Sequence, residues 1–423
     1  MLRVARKEKS MPKSTQSGAP VRLNHLLLGA VLLVVGTSVA IVQYKVPSIL
    51  VDIMSAYGMT SATGSWLMSI FTAMGIVLSL PTGSLAKRLG PKNVLLLGCS
   101  IVVLGSVIGA WATSAWVMIA SRAIEGVAFV FVSVAGPLAV DKYVAHEHRG
   151  TVNGIWSLWI CLGSVVGATA TPMVFEALGL TGAWLAYAVI VAAAAVVLAV
   201  VVRVPKDRFS SDSLGSADRN GIETSELVEP RATARDYLAI IRPHALIFLF
   251  AYLVFNIEML AVLSYTPTFL QSRGMNASLS GFASSLPGLL AVVSSPLIGK
   301  LIDKTGRTKP FFVAALLASG PATFLMLTQS GPLLWVGALL MGLIGYGLPV
   351  VSFSALPQIA GKRSLLPAAT GALTLVMCLG EFLGSLVTPL LLGPDLSNWT
   401  FCGTVMLALG LTGAVAAAFC RIK

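Results

Sequence analysis

The sequence predicts an all-α integral membrane protein, with twelve transmembrane helices in two pseudo-symmetric six-helix bundles. Three observations predict it. Of the 423 residues, 56% are hydrophobic and 11% charged, and mean hydropathy is +0.86. A water-soluble domain carries about twice that share of charge. The apolar residues fall in stretches long enough to cross a bilayer, which takes about 20 helical residues. The chain also repeats itself. Gly154, Cys161, Leu162, Gly163, Gly167, Thr171 and Pro172 recur as Gly371, Cys378, Leu379, Gly380, Gly384, Thr388 and Pro389, each pair 217 residues apart. Two related halves suit a carrier that rocks one half against the other.

Residues 1–23 are polar and basic and read as a cytoplasmic tail. Residues 24–203 form the first bundle, with spans at roughly 25–50, 62–84, 93–113, 115–140, 150–174 and 182–203. The first apolar stretch is too long for a signal-peptide core and is followed by no small-residue cleavage site, so it reads as a retained helix. Residues 204–242 are polar, mixed in charge and rich in serine, which predicts a disordered cytoplasmic linker. Residues 243–420 form the second bundle, with spans at roughly 243–270, 278–299, 310–329, 332–357, 365–392 and 399–419, and residues 421–423 are a cytoplasmic end. Lipid offers the backbone no partner, so every span must be helical.

The net charge of +12 invites a nucleic-acid reading, which the distribution removes. With the N-terminus in the cytoplasm, all but three of the 29 Lys and Arg residues fall on the inner side. Arg273 lies in an outer loop, and Lys45 and Arg122 lie within spans. This is the positive-inside bias of a multi-pass protein of a bacterial inner membrane. Trp66, Trp111, Trp116, Trp184, Trp335 and Trp399 fall at predicted outer ends, where an amphipathic ring suits the interface. The five cysteines have no metal-ligand spacing and read as small buried apolar groups. The four histidines lie at inner helix ends or in an inner loop, away from any nucleophile, and no P-loop is present, so the chain reads as neither enzyme nor ATP-driven pump.

The halves match beyond the opening repeat. Gly83 and Gly90 answer to Gly299 and Gly306, Gly126 to Gly342, and His25 to His244. The loop after the eighth span carries Gly299, Asp303, Gly306 and Arg307 in the spacing G-x-x-x-D-x-x-G-R. The equivalent loop after the second span keeps both glycines but has Lys87 and Pro91 in the aspartate and arginine places. At these residues the chain resembles the major facilitator superfamily. Arg122, Glu125 and Gly126 are similar to that family's R-x-x-Q-G, and Gly154, Gly163 and Gly167 match part of its antiporter signature, with Ala168 where proline is expected. The resemblance implies two bundles around a central site, and a latch in which Asp303 reaches the start of the fifth span near Arg149 and Gly150.

Ionisable residues at bilayer depth carry the sharpest functional signal, because their desolvation must be offset. They are Lys45, Arg122, Glu125, Glu258 and Glu381, and none has an ionisable counterpart in the other half. Glu258, midway along the seventh span beside Asn256, is the first proton-coupling candidate, followed by Glu381 among the glycines of the eleventh span. Arg122 and Glu125 are three apart and face each other, either as a self-neutralising pair or, as the resemblance implies, as part of the coupling machinery. Lys45 either snorkels to the interface or faces the cavity, where Tyr44, Gln43, Asn256 and Tyr265 join it as substrate-binding candidates. The helix 5 and 11 glycines serve either close packing within a half or a sliding interface between halves.

These residues predict a secondary active transporter: a monomer without cofactor or metal that moves a small solute by alternating access, proton-coupled as symporter or antiporter. Lys45 and Arg122 point to a small organic anion. The alternative is a proton-antiport exporter of amphipathic drugs, and a further one is a non-transporting sensor or scaffold. The partners are the solute, protons and the lipid bilayer, with no nucleic acid.

Overall fold

The computed structural model describes residues 24–145, 148–202, 242–362 and 365–422. The predicted tail and most of the predicted linker fall outside these residues, as do His146 and the side chains of Lys87 and Asp303.

Among the described residues, eleven long apolar helices are continuous by hydrogen bonding, and one of them is two spans. Arg149–Val201 has 53 residues, about 80 Å at 1.5 Å per residue, against about 30 Å of hydrocarbon. Gly179 breaks it at φ +68°, a conformation that needs glycine. The twelve spans are α1 (His25–Ala56), α2 (Ser61–Leu89), α3 (Pro91–Ala110), α4 (Ala115–Tyr143), α5 (149–178), α6 (180–201), α7 (Pro243–Ser272), α8 (Ala277–Thr305), α9 (Lys309–Thr328), α10 (Pro332–Ala360), α11 (Leu366–Leu392) and α12 (Trp399–Phe419). A single 3₁₀ turn interrupts α1 at Pro47–Ile49 and α10 at Gly345–Gly347. The predicted spans fall short most at the ends of α8 (299 against 305) and α1 (50 against 56); α1 continues beyond Pro47 because a proline in the first turn of a new helical segment costs no hydrogen bond. Gly90 (φ +80°) and Gly306 (φ +65°) end α2 and α8 in the positive-φ conformation that glycine favours.

The repeated glycines pack helices within each half. A Cβ on Gly163 would strike Ala40, and one on Gly167 would sit 2.9 Å from the Ile41 carbonyl, so α5 lies directly on α1. In the second half, a Cβ on Gly380 would stand 2.6 Å from Asn256 Cβ and one on Gly384 2.5 Å from the Ile257 carbonyl, so α11 lies on α7. Small residues allow this approach where lipid supplies no hydrophobic drive. Of the two roles open from sequence, these four glycines serve packing within a half.

The repeated prolines explain two further contacts. A proline in a helix frees the carbonyl four residues earlier. Pro389 frees Ser385, whose carbonyl accepts from Tyr265 Oη at 2.9 Å. Pro172 frees Ala168, whose carbonyl instead faces α8 at Gly281, where any Cβ would clash.

The halves meet along α2–α11 and α5–α8. On the face opposite the chain termini, Ser61 Oγ donates to the Gly393 carbonyl at 3.1 Å and Gln271 Nε2 to the Ser48 carbonyl at 2.9 Å. Cys161 Sγ donates to the Gly288 carbonyl at 2.8 Å, and Cys378 Sγ lies 3.1 Å from where a Gly75 Cβ would stand. The repeated cysteines thus mark the two seams, a role their apolar reading missed.

The tryptophan expectation holds for part of the set. Trp111 and Trp116 are 64% and 72% exposed at the helix ends. Trp184 and Trp399 are buried instead. Trp184 packs into a gap left by Gly109, and Trp399 packs at a tilt against Phe269 with ring centroids 5.2 Å apart.

Candidate functional site

Between the halves lies a cavity of about 290 Å³. Its lining runs from mid-helix towards the terminus face, reaching Ser133 on α4, Phe353 on α10 and Thr374 on α11. The seam contacts at Ser61 and Gln271 close the opposite face.

One wall is aromatic. Phe71 on α2, Phe129 on α4 and Trp159 on α5 run edge to edge, with successive centroids 5.3 and 5.1 Å apart. Trp156 stacks behind Trp159 at 5.1 Å. The facing wall carries Tyr252 and Asn256 from α7, Tyr346 from α10 and Glu381 from α11. Among the described lining residues, Glu381 is the one drawn from the acidic and basic residue types. Of the substrate-binding candidates, Gln43, Tyr44 and Asn256 line this cavity. Asn256 Nδ2 donates to the Tyr252 carbonyl at 2.7 Å. Gln43 Oε1 is buried without a hydrogen-bond partner.

The other two substrate-binding candidates lie elsewhere. Tyr265 is spent on the Ser385 carbonyl inside the second half. Lys45 is fully buried inside the first half, neither snorkelling nor facing the cavity. Its Nζ donates to Glu125 Oε1 at 2.8 Å and lies 4.1 Å from the Trp184 ring centroid. The reason is electrostatic. A buried carboxylate is stable in a low dielectric only when cations and donors surround it, and Glu125 collects Lys45, Arg122 and the Ser106 hydroxyl at 2.6 Å.

Arg122 pairs with Glu125 in a short contact and spends its remaining donors on backbone. It reaches the Leu67 carbonyl at 3.0 Å, Val42 at 2.8 Å and Gln43 at 3.3 Å, and its guanidinium lies 4.6 Å from the Phe71 ring centroid. The cluster therefore ties α1, α2, α3, α4 and α6 together just behind the cavity wall. Two cations share one carboxylate, and all three side chains are fully buried.

Glu258 faces away from the cavity. It is fully buried, with the Ser319 hydroxyl of α9 as its polar neighbour and no well-formed hydrogen bond to either carboxyl oxygen among the described residues. Its Oε1 lies against Gly410 where α12 crosses Gly320 of α9 backbone to backbone. Depth was legible from sequence, but direction was not.

The loop motif is described in part. Gly83 and Gly299 lie within α2 and α8, and Gly90 and Gly306 form the turns that follow. The side chain of Asp303 is outside the described set, while Arg149, its expected neighbour, sits 3.7 Å from Asp141 of α4 and donates to the Val144 carbonyl at 3.2 Å. Arg307 is exposed beside the start of α9.

A family model described as Major Facilitator Superfamily matches residues 26–385. The arabinose-proton symporter of Escherichia coli K12 is 31% identical over 144 residues, 34% of this chain and 30% of the symporter. The E. coli galactose-proton symporter is 30% identical over 128 residues, 30% of this chain and 27% of that one. The matches thus span under a third of these two relatives. The MFS-type transporter YwoD of Bacillus subtilis is 21% identical over 85% of this chain and 89% of its own. Among solved structures, a bacterial homologue of the lysosomal transporter Spinster, inward-facing and unoccupied, superposes with TM-score 0.69, 16% identity, and coverage of 95% of this chain and 97% of that one. A POT family transporter in complex with 5-aminolevulinic acid also gives 0.69, at 14% identity over 93% and 96%. At such identities the structures share the fold alone.

Proposed function

The chain belongs to the major facilitator superfamily; from that premise we propose that it is a multi-pass secondary transporter, not an enzyme, which exchanges protons for an amphipathic cation held in the central cavity, with Glu381 as the group that takes either charge. One observation carries this reading: Glu381 is the one carboxyl, and no lysine or arginine stands beside it, in the described lining of a largely apolar and aromatic cavity. A lipophilic cation satisfies both elements. Its body lies on Phe71, Phe129 and Trp159, where ring faces favour cations, and its charge meets the carboxylate. A proton on Glu381 neutralises that carboxylate and releases the cation, so the two ligands exclude each other and exchange is coupled.

The organic-anion reading loses its residues here. Lys45 and Arg122 stand behind the wall, committed to Glu125 and to backbone carbonyls. Proton coupling draws support from the local likeness to two proton symporters. The basic residues and the bacterial relatives support a bacterial inner membrane with both termini in the cytoplasm. The described conformation is then inward-facing. Residues 24–203 and 243–420 act as the two moving units.

The test is transport by the purified protein in liposomes. Ethidium efflux driven by an imposed pH gradient is expected, and it should vanish in Glu381→Gln. A protein that moves arabinose or succinate under the same gradient, and leaves ethidium in place, refutes the cation reading.

A further inference from the structure

We propose that the groove between the start of α9 and the end of α12 binds an anionic phospholipid. The groove encloses about 740 Å³ and is lined by Arg307 and Lys309 at its rim and by Val313, Ala314, Leu317 and Ile422 along its wall. Neither rim cation makes a side-chain hydrogen bond or ion pair among the described residues. Lys300, Lys304 and Arg421 add positive charge nearby in sequence.

The shape selects the occupant. Leu317 stands eight residues into α9, about 12 Å below Lys309 at 1.5 Å per residue. Because α9 is a membrane-spanning helix, the wall descends into hydrocarbon while the cations stay at the headgroup level. Leu317 is 50% exposed there. A phosphodiester at the rim and an acyl chain along the wall use both parts. A free phosphate would use the rim alone.

The first half supplies an internal control. Lys92 stands 217 residues before Lys309, at the start of α3. Its Nζ donates to the Ala199 carbonyl at 3.1 Å and to the Val202 carbonyl in a short contact, capping the end of α6. In the second half the equivalent lysine caps no helix end among the described residues and lines an open groove. The repeat thus closes this place in one half and leaves it available in the other. The rim residue Arg307 also belongs to the motif loop after α8, so an occupant rests on the loop that joins α8 to α9.

The experiment measures lipid retention by the purified full chain, with dioleoyl phosphatidylglycerol and dioleoyl phosphatidylcholine supplied in equal amounts and read by native mass spectrometry. Each cation near a membrane surface contributes about fivefold, so two predict a preference for phosphatidylglycerol of about 25-fold. Arg307→Gln with Lys309→Gln should remove it, and Arg307→Lys with Lys309→Arg should keep it. Ala314→Trp fills the groove without changing charge and should also abolish retention. Equal retention of both lipids, or a preference that survives the double glutamine variant or Ala314→Trp, overturns the proposal. So does displacement of the lipid by an equal concentration of glycerol phosphate, which would mark a phosphate site only.

Discussion

The two halves share a scaffold and differ in how they bury charge. In the first, Glu125 is surrounded by Lys45, Arg122 and Ser106, and the cluster joins five helices. The corresponding places in the second half are Ala338 and Met341, both in the apolar core. The second half instead buries two separate carboxyls, Glu258 in its interior and Glu381 on the cavity wall. The lesson is that buried charge serves two ends in one fold. A cluster in which two cations share one carboxylate ties five helices together, whereas on the reading proposed above the cavity carboxyl, free of any cation, exchanges its proton.

Four changes break or sharpen this contrast, from the largest expected effect to the smallest. The first concerns the seam between the halves. A Cβ on Gly75 would lie 3.8 Å from the Cys378 Cβ, the mean spacing of a disulfide. Gly75→Cys should therefore cross-link to the native Cys378 on oxidation and abolish transport, and reductant should restore it. A complete cross-link with undiminished transport would show that the halves do not part along α2–α11.

The second is Glu125→Gln, which strands two buried cations. Removing one partner of a buried ion pair costs about 3–5 kcal/mol, so thermal unfolding in detergent should shift down strongly. An unchanged midpoint would mean the cluster is not what holds the first half together. The third is Phe71→Ala or Trp159→Ala. Loss of a desolvated cation–π contact of about 1–2 kcal/mol should weaken ethidium binding several-fold in titration calorimetry, with uptake of hydrophobic neutral solutes less affected. Equal weakening of cationic and neutral ligands would assign the wall to shape alone. The smallest effect belongs to Glu258→Gln. The amide has nearly the shape of a neutral carboxyl and no ion pair is broken, so stability should change by only about 1 kcal/mol and coupled transport should persist. Uncoupling by this substitution would move the proton from the cavity to the interior of the second half.

The scaffold was largely legible in the sequence. Twelve spans followed from apolar length, and the repeat identified the glycines that seat α5 on α1 and α11 on α7. Glu381 stood out because its repeat counterpart is Ser164, and the structure places it between the halves. What was illegible was direction. The contact from Lys45 to Glu125 spans 80 residues and four helices, and neither side chain's neighbours in sequence announce it. Glu258 lies on a helix that is apolar on every face, so no polar stripe indicated which side it would take. Trp184 followed the end-of-helix pattern of an interface anchor, yet the Gly109 gap and the Lys45 ammonium draw it inward. Tyr265 looked like a cavity residue until the carbonyl freed by Pro389 supplied it with a structural partner.

The central claim is that the cavity carboxyl Glu381, and neither Glu258 nor the cluster around Glu125, holds the proton that the cargo displaces. It is tested most directly by counting protons released when ethidium binds to the purified protein in weakly buffered detergent solution. Release is predicted from wild type and from Glu258→Gln alike, and none from Glu381→Gln. Undiminished release from Glu381→Gln, together with none from Glu258→Gln, would contradict the account.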